Sequence, residues 1–523
     1  MRWRDGKSGG QQRNGEKMKD RGCIYRNIYG RRAEGQLYNA YLTVTLALCM
    51  AVILSLFLTL MDGVRRNGAR LETECVADIG LQSIMAEYHR ELMKQYNLFA
   101  IDSSYGTATC GRANTEEHLY RYLSGNLSYD DIFLSDYLYR DFLGLAVKQV
   151  ELTKVSIMTD YEGAVFRKDA VEAVKDDVGL GLLQELRGWM QNVEINGLEE
   201  GKEEARKQEL DREISEWVSE YDGMEIEVDE DEWERVEIRN PTDELEAKKR
   251  MGLLWLVVGD ETNISPNVIH PDNLILNRMQ QGQINRGNMV WEGHTETEQL
   301  TERFLFQEYL LRYMGRFGKE CDEDALCYQI EYLIAGKASD VENLKSVVNR
   351  LCILREAANA MYLMSNEAKR GEIRLVAAAA CTLITLPALT PLLESAILLA
   401  WAYAESIYDV KTLLAGGKVP LLKDDGNWHY SLSAALSGSI QDEGTGGEGL
   451  AYEDYLRIFM MLSDVDTITG RAMDMVEADI RKTPGNAAFR LDGCFEAVEA
   501  HIQIGSSHGF QYDITRQKSY EQG

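Results

Sequence analysis

The sequence predicts a mainly helical α+β protein. An N-terminal transmembrane helix continues into a long stalk helix, followed by a helix-rich extracytoplasmic domain with a small antiparallel sheet. Three observations carry this. No charged residue stands between Glu34 and Asp62. Only seven prolines occur in 523 residues, none before Pro241, which favours long helices over loop-rich β architecture. Near the C-terminus Val498, Ala500, Ile502 and Ile504, then Phe510, Tyr512 and Ile514, alternate on either side of Gly505-Ser506-Ser507-His508-Gly509, the pattern of a β-hairpin.

The first element is the anchor. Tyr41 to Met61 is a 21-residue uncharged run. At 1.5 Å per residue it spans about 30 Å, the thickness of a bilayer's hydrocarbon core. A helix satisfies its own backbone polar groups there. Tyr38 and Tyr41 stand where aromatic side chains favour the interface. Arg31 and Arg32 precede the run, and positive-inside bias places the N-terminus in the cytoplasm. Arg65, Arg66 and Arg70 follow it and offset part of that bias. A cleaved signal peptide fits less well, because the run exceeds a secretory h-region and MDGVRRNGAR holds no A-x-A pattern. Beyond the anchor, Leu71, Cys75, Ile79, Met85, Tyr88, Leu92 and Tyr96 recur mostly at helical spacing, so one helix is expected from Tyr41 to Phe99, with Gly63, Gly68 and Gly80 as weak points.

Composition divides the rest. The expected segments are a basic cytoplasmic tail (1–37), the transmembrane helix (38–61) and an amphipathic stalk helix (62–100). An extracytoplasmic α+β region (101–260) with an acidic segment (199–237) follows. Then come a helical region (261–436) with an apolar hairpin (373–404), and C-terminal helices with the β-hairpin (437–523). Val147 to Met158 is rich in β-branched residues and predicts a strand; Gly163 to Val193 predicts a helix. The acidic segment predicts a solvated helix ending in a loop, EIEVDEDEWERVE. Residues 260–292 are loop-like, and helices are expected at about 296–317, 324–336 and 340–370. In the last of these Val341, Leu344, Val348, Leu351, Leu354, Ala358 and Met361 form a core stripe. Leu375 to Leu393 is a second uncharged stretch, rich in alanine and interrupted by Pro387 and Pro391. A buried hairpin turning at Pro387–Pro391 is favoured over a second membrane span, which would put everything after Glu405 in the cytoplasm. Helices are expected from Tyr452 to Ser463 and from Asp464 to Arg481.

Charge excludes some functions. The 56 basic and 85 acidic residues are split unevenly: residues 1–37 carry ten bases and four acids, and the other 486 carry 46 bases and 81 acids. A body this acidic repels phosphate backbones, so no nucleic-acid partner is expected. Residues 199–237 alone hold 18 acids and five bases. Nine cysteines are too few for a disulfide scaffold, although Cys321 and Cys327 stand close enough to pair or to share a metal.

Motifs for chemistry fall short. Gly505 to Gly509 matches G-x-S-x-G but lacks the following helix and a downstream histidine, so a hairpin turn is the better account. Gly444, Gly446 and Gly449 match G-x-G-x-x-G amid Asp442, Glu443, Glu448, Glu453 and Asp454, a field hostile to phosphate. Asp229, Asp231 and Glu232 lack the glycine of an EF-hand loop. The seven histidines form no H-E-x-x-H. No catalytic, cofactor-binding or metal residue is therefore assigned, and no enzymatic activity or cofactor is expected.

One cytoplasmic tail, one membrane helix running into an amphipathic helix, then an acidic mixed domain is the layout of pilin-like proteins. The segment from Thr43 to Asp102, together with YQIEYLIAGKASDVENLKSVVNRLCILREAAN (328–359), WAYAESIYDVKTLLAGGKVPLLK (401–423), YEDYLRIFMMLSD (452–464) and RAMDMVEADIR (471–481), resembles a family of Gram-positive single-anchor membrane proteins. These are grouped with the TadE/TadG-like minor pilins of the tight-adherence (Flp) pilus. The resemblance covers most of residues 40–515 and implies a stalk helix, a pseudopilin-like or assembly role, and pilus or secretion proteins as partners. One departure matters: after Gly35 the sequence QLYNAYLTV has no acid before Asp62, where prepilins carry a glutamate in the apolar helix. A stationary assembly component is therefore expected in place of a processed major pilin.

The expectation is a non-enzymatic, single-pass protein of the cell membrane, touching the lipid bilayer through residues 38–61, with its bulk outside. The alternative is a membrane-anchored extracytoplasmic ligand-binding or sensor domain with a pocket lined by residues 375–404. A 37-residue head is short for a signalling output domain, which counts against it. A membrane-bound hydrolase ranks last.

Overall fold

The computed structural model describes residues 10–107, 109–128, 143–176, 185, 187–189, 191, 212, 225–229, 232–235, 253–258, 264–290, 296–321, 324–383, 390–437 and 447–520. The fold is 62% helical with a small antiparallel sheet. Two compact units interleave along the chain: residues 1–79, 123–149 and 502–514, and residues 80–122, 150–501 and 515–523.

The first unit is built on helix α1 (Gly10–Met85). From Tyr41 to Leu60 its side chains are exposed on every face, Leu46 at 63% and Phe57 at 58%. Among the described residues this is the one helix long and apolar enough to cross a membrane. Its character then changes. Ala69, Thr73, Val76 and Ala77 are buried, a stripe at helical spacing that faces protein. In the same unit the Arg66 guanidinium lies 4.6 Å over the Phe510 ring, and Tyr512 Oη donates to the Arg66 carbonyl at 3.1 Å. Gly63 and Gly68 do not break α1.

The predicted stalk to Phe99 is corrected. Helix α1 ends at Met85, and a separate helix α2 (Arg90–Tyr96) follows. His89 is extended, accepts the Leu92 amide on Nδ1 at 3.2 Å, and caps α2. Its own amide donates to the Ala100 carbonyl at 2.9 Å, so the chain reverses there. Asn97, in the left-handed region at φ 52°, closes α2.

The second unit holds the main core. After strand β1 (Ile101–Asp102) comes helix α3 (Arg112–Leu127). Strand β2 (Leu145–Ile157) agrees with the predicted strand. Helix α4 (Asp160–Glu172) begins with Tyr161, Glu162 and Gly163 all at positive φ. Gly163 is needed: a Cβ there would stand 2.6 Å from Thr469 Cγ2. Most of the helix expected to continue to Val193 lies outside the described residues. The acidic loop expected at 225–237 is corrected to a hairpin, strands β3 (Glu225–Asp229) and β4 (Glu232–Arg235), pairing Ile226 with Glu234 and Glu227 with Trp233. Alternation in EIEVD and EWER favours strand once a partner strand is adjacent.

Helices α5 (Leu253–Val258), α6 (Ile275–Gln280), α7 (Glu296–Tyr313), α8 (Gln329–Ala335) and α9 (Asp340–Ser365) follow. The last three match the predicted helices; α6 is a turn and a half inside the predicted loop. Ser339 starts α9 by accepting the Glu342 amide on its hydroxyl at 3.3 Å. The apolar hairpin consists of α10 (Glu367–Leu383) and α11 (Thr390–Leu414). Pro387 lies outside the described residues, and Pro391 sits in the first turn of α11, where its missing N–H costs nothing, and not in the expected turn. Helix α11 packs along α9, burying Ile397, Trp401, Ala404 and Ile407. Among its described side chains, helix α10 buries Ile373, Ala377 and Cys381.

A short helix α12 (Leu432–Leu436) precedes α13 (Tyr452–Leu462) and α14 (Val465–Lys482). Strand β5 (Cys494–Ser506) pairs with β1, β2 and β6 (Gln511–Ser519). Val498, Ala500, Ile502 and Ile504 are all fully buried, as the alternation predicted. Cys321 and Cys327 form a disulfide. Closing so short a loop contributes on the order of 2 kcal/mol. Reduction is therefore expected to lower the melting temperature of the full chain, and the Cys321→Ser, Cys327→Ser double variant should melt at the reduced temperature with or without reductant.

Candidate functional site

Three polar constellations stand out, all inside the second unit. The first lies between α9 and α11. Glu405 and Asp409 are four residues apart and therefore share one face of α11; Arg355 and Asn359 do the same on α9. All four are fully buried. Arg355 donates to Asp409 Oδ2 from Nε and Nη2 at 3.1 and 3.0 Å, and its Nη1 caps the carbonyls of Pro420 and Leu421 at 2.8 and 2.7 Å. Lys423 Nζ reaches Glu405 Oε1 at 2.6 Å and Asp409 Oδ1 at 2.7 Å. Two cations thus face two carboxylates. Glu405 also accepts the amides of His429 and Tyr430 at 3.0 and 2.9 Å. Burial works to raise its pKa, but the hydrogen bonds from His429 and Lys423 outweigh it and hold the carboxyl below its ordinary value. The arrangement ties the segment 419–430 to the two longest core helices.

The second constellation runs along α14. Asp474, Glu477 and Asp479 are buried there, as is Glu331 on α8. Asp474 accepts the Leu276 amide at 2.9 Å and Tyr332 Oη at 3.0 Å. Asp479 accepts Tyr96 Oη, the Ala325 amide at 2.6 Å and Gln329 Nε2. Glu331 accepts the Phe317 amide at 3.0 Å and Tyr452 Oη at 2.8 Å. Among the described residues none of these three carboxyls has a Lys or Arg within ion-pair distance. Burial pushes Asp474 up to about 7, Asp479 to about 6 and Glu331 to about 7. Glu477 differs: Arg278 grips it through both nitrogens at 2.7 and 2.9 Å and also reaches Asp492 at 2.8 Å.

The third is an open cleft of about 300 Å³ between Val268–His270, Ala325 and the last turn of α14. Its floor is apolar, with Ile269, Leu274 and Ala478; Arg481 and Lys482 stand on its rim. Arg481 Nε donates to the Phe489 carbonyl at 2.9 Å and its Nη2 pairs with Glu477. Lys482 Nζ donates to the Asp324 carbonyl at 2.7 Å, beside the disulfide loop. Both cations are thus held by the fold.

The motifs weighed in the sequence lie elsewhere. Gly505 to Gly509 is the turn between β5 and β6: the Ser506 amide donates to Phe510 O at 2.7 Å, and Gly509 has φ 86°. Gly444 and Gly446 lie outside the described residues; Gly449 permits a close approach, since a Cβ there would be 2.4 Å from Pro420 N. Asp229 and Glu232 are paired across the β3–β4 hairpin, and Asp231 lies outside the described residues. Among the described residues no group of three or more His, Cys, Asp or Glu side chains is placed to hold a metal ion. The buried charges were missed in the sequence because a charged residue on a helix reads as a solvated face. The signal was present: Arg355 sits directly beside Leu351, Leu354 and Ala358 on the core stripe.

The family described as "Family of unknown function (DUF5702)" matches residues 231–506, more than half of the chain. That stretch contains all of α9, α11 and α14, and hence both sets of buried carboxylates. No curated protein and no solved structure matches the chain.

Proposed function

The chain belongs to the DUF5702 family of unknown function, and within it we propose a non-enzymatic, membrane-anchored component of a Tad/Flp-type pilus or secretion apparatus. The observation that carries the reading is the change of character along α1. Its side chains are exposed all round from Tyr41 to Leu60, and from Ala69 onward one stripe is buried in protein. A helix apolar on every face and uncovered by protein needs lipid around it. The same helix is thus both anchor and first core element, as in pilin-like proteins. The Cys321–Cys327 disulfide supports placing the body outside, because disulfides persist in oxidising compartments. The basic head supports a cytoplasmic N-terminus. The pilus assignment itself rests on the resemblance of the sequence segments given above.

Topology reporters fused after Asp102 and after Lys423 are expected to be active outside the cytoplasm in both cases. A split result would make residues 375–404 a second span. Pull-downs from detergent-solubilised membranes are expected to recover pilus or secretion proteins, and deletion of the gene should impair pilus assembly. Recovery of none, with assembly intact, sinks the pilus role while leaving the anchor in place.

A further inference from the structure

We propose that Trp401, Trp428 and Tyr362 form an aromatic cage for a quaternary ammonium group, closed in this structure by the protein's own Lys369. The site lies wholly within the second unit and does not depend on the pilus role. The three rings come from three elements: Tyr362 from α9, Trp401 from α11 and Trp428 from segment 419–430. The two indoles meet at 89° with centroids 5.5 Å apart, and the Tyr362 ring lies 5.1 Å from that of Trp428. Lys369, in the first turn of α10, places Nζ in the corner between them. It lies 4.8 Å from the Trp401 centroid, 4.9 Å from that of Trp428 and 5.9 Å from that of Tyr362. At these distances a cation is drawn to the face of a ring.

The walls are fixed by hydrogen bonds of their own. Trp401 Nε1 and Trp428 Nε1 both donate to the Tyr430 carbonyl, at 2.9 and 2.8 Å. The Tyr430 amide is held by Glu405, and so by the buried charges between α9 and α11. Tyr362 Oη donates to Asp425 and accepts Asn366 Nδ2 at 3.0 Å. Rings locked in this way lose little freedom on binding. The present occupant is poorly matched to them. A primary ammonium carries three N–H donors. Among the described residues Lys369 Nζ has no hydrogen-bond or ion-pair partner, only the rings. Burial lowers its pKa below the ordinary value, although Glu372, Asp425 and Glu405 act to raise it. A quaternary ammonium has no N–H to satisfy and cannot lose its charge, and the same carboxylates favour it. A C–N bond of about 1.5 Å at this nitrogen position brings methyl carbons to about 3.5 Å from the indoles, near van der Waals contact. Trp401 is buried, but Trp428, Tyr362 and Lys369 are half-buried, so the corner opens outward. The flexible stem of Lys369 can vacate it by changing rotamer.

The test uses the full chain in maltoside micelles, which carry no ammonium group. Tryptophan emission and calorimetric heat are followed on titration with choline chloride at constant ionic strength. Saturable binding is expected, and Lys369→Met should tighten it about tenfold by removing the competing cation. The neutral carbon isostere of choline, 3,3-dimethylbutan-1-ol, and the primary amine ethanolamine should each bind at least about tenfold more weakly than choline. Trp428→Leu should abolish binding. If circular dichroism shows that variant unfolded, Trp428→Phe is read in its place, with a loss of about fivefold expected. Glycerophosphocholine separates the sources of the group: tighter binding than choline assigns a phospholipid headgroup, weaker binding a free solute, and the cage stands in both cases. Equal affinity for choline and its neutral isostere, or unchanged affinity in the Lys369 or Trp428 variant, overturns the cage. No binding of choline by wild type or by Lys369→Met makes Lys369 a staple of α10 only, and also overturns it.

Discussion

Replacing Arg355 by alanine is expected to destabilise the body by about 3–5 kcal/mol, the largest effect of any single substitution considered for this chain. The guanidinium is fully buried, and it is donor to Asp409, to the carbonyls of Pro420 and Leu421, and to Tyr455. Removing it leaves Asp409 with Lys423 and Asn359 and orphans the carbonyls of Pro420 and Leu421, the second of them buried. Segment 419–430 would loosen from α9 and α11, so limited proteolysis should cut there before it cuts elsewhere. The charge-neutral double variant Arg355→Met, Asp409→Leu should recover part of the loss, because no uncompensated charge then remains. Denaturant titration of tryptophan fluorescence reads this directly, since Trp428 lies in the segment and its ring packs against Trp401. A loss below about 1 kcal/mol for Arg355→Ala would mean that the pair is solvated, contrary to the geometry.

Asp474→Asn is expected to stabilise the protein above neutral pH. Asp474, Asp479 and Glu331 have folded pKa values raised to about 7, 6 and 7 by burial, from ordinary values of 3.8, 3.8 and 4.5. The folded state therefore binds more protons than the unfolded chain. The stability these groups contribute is complete below about pH 4 and is lost as pH rises toward 7. At pH 8 each ionised carboxyl costs on the order of 3 kcal/mol. Asparagine at 474 keeps an oxygen for the Leu276 amide and removes the charge, so its benefit should be large at pH 8 and vanish near pH 5. Glu405 and Asp492 act in the opposite sense. Their cationic and hydrogen-bond partners hold them below the ordinary range against burial, so their stability is present above about pH 4 and is lost on further acidification. Maximum stability is thus expected on the acid side of neutrality, between about pH 4 and 6. A wild-type melting temperature that rises from pH 6 to pH 8 would contradict the assignment of buried, unpaired carboxyls.

Much of the architecture was legible because its signals are local. The uncharged run at 41–61, the stripe on α9 and the alternation along β5 each depend on a few neighbouring residues and on helix or strand periodicity. What was not legible required contacts distant in sequence. The stalk ends at Met85, although periodicity continues, because His89 bonds to the Ala100 carbonyl and starts a new helix. The acidic stretch at 225–235 is a hairpin because its two halves pair, whatever their charge. The candidate site was the least legible part: Asp474 and Glu331 look like surface carboxylates until Tyr332 and Tyr452 are brought against them.

The sequence by itself determined that one segment near the N-terminus is long and apolar enough to span a membrane, that the body is helical and acidic, and that a β-hairpin lies near the C-terminus. Those properties follow from hydropathy and period, which are written along a single stretch of chain. Only the tertiary structure decided which charges are buried and with whom. Burial and pairing depend on what the fold brings alongside a residue, and the energy of a charge in a protein is set by that surrounding more than by the residue itself.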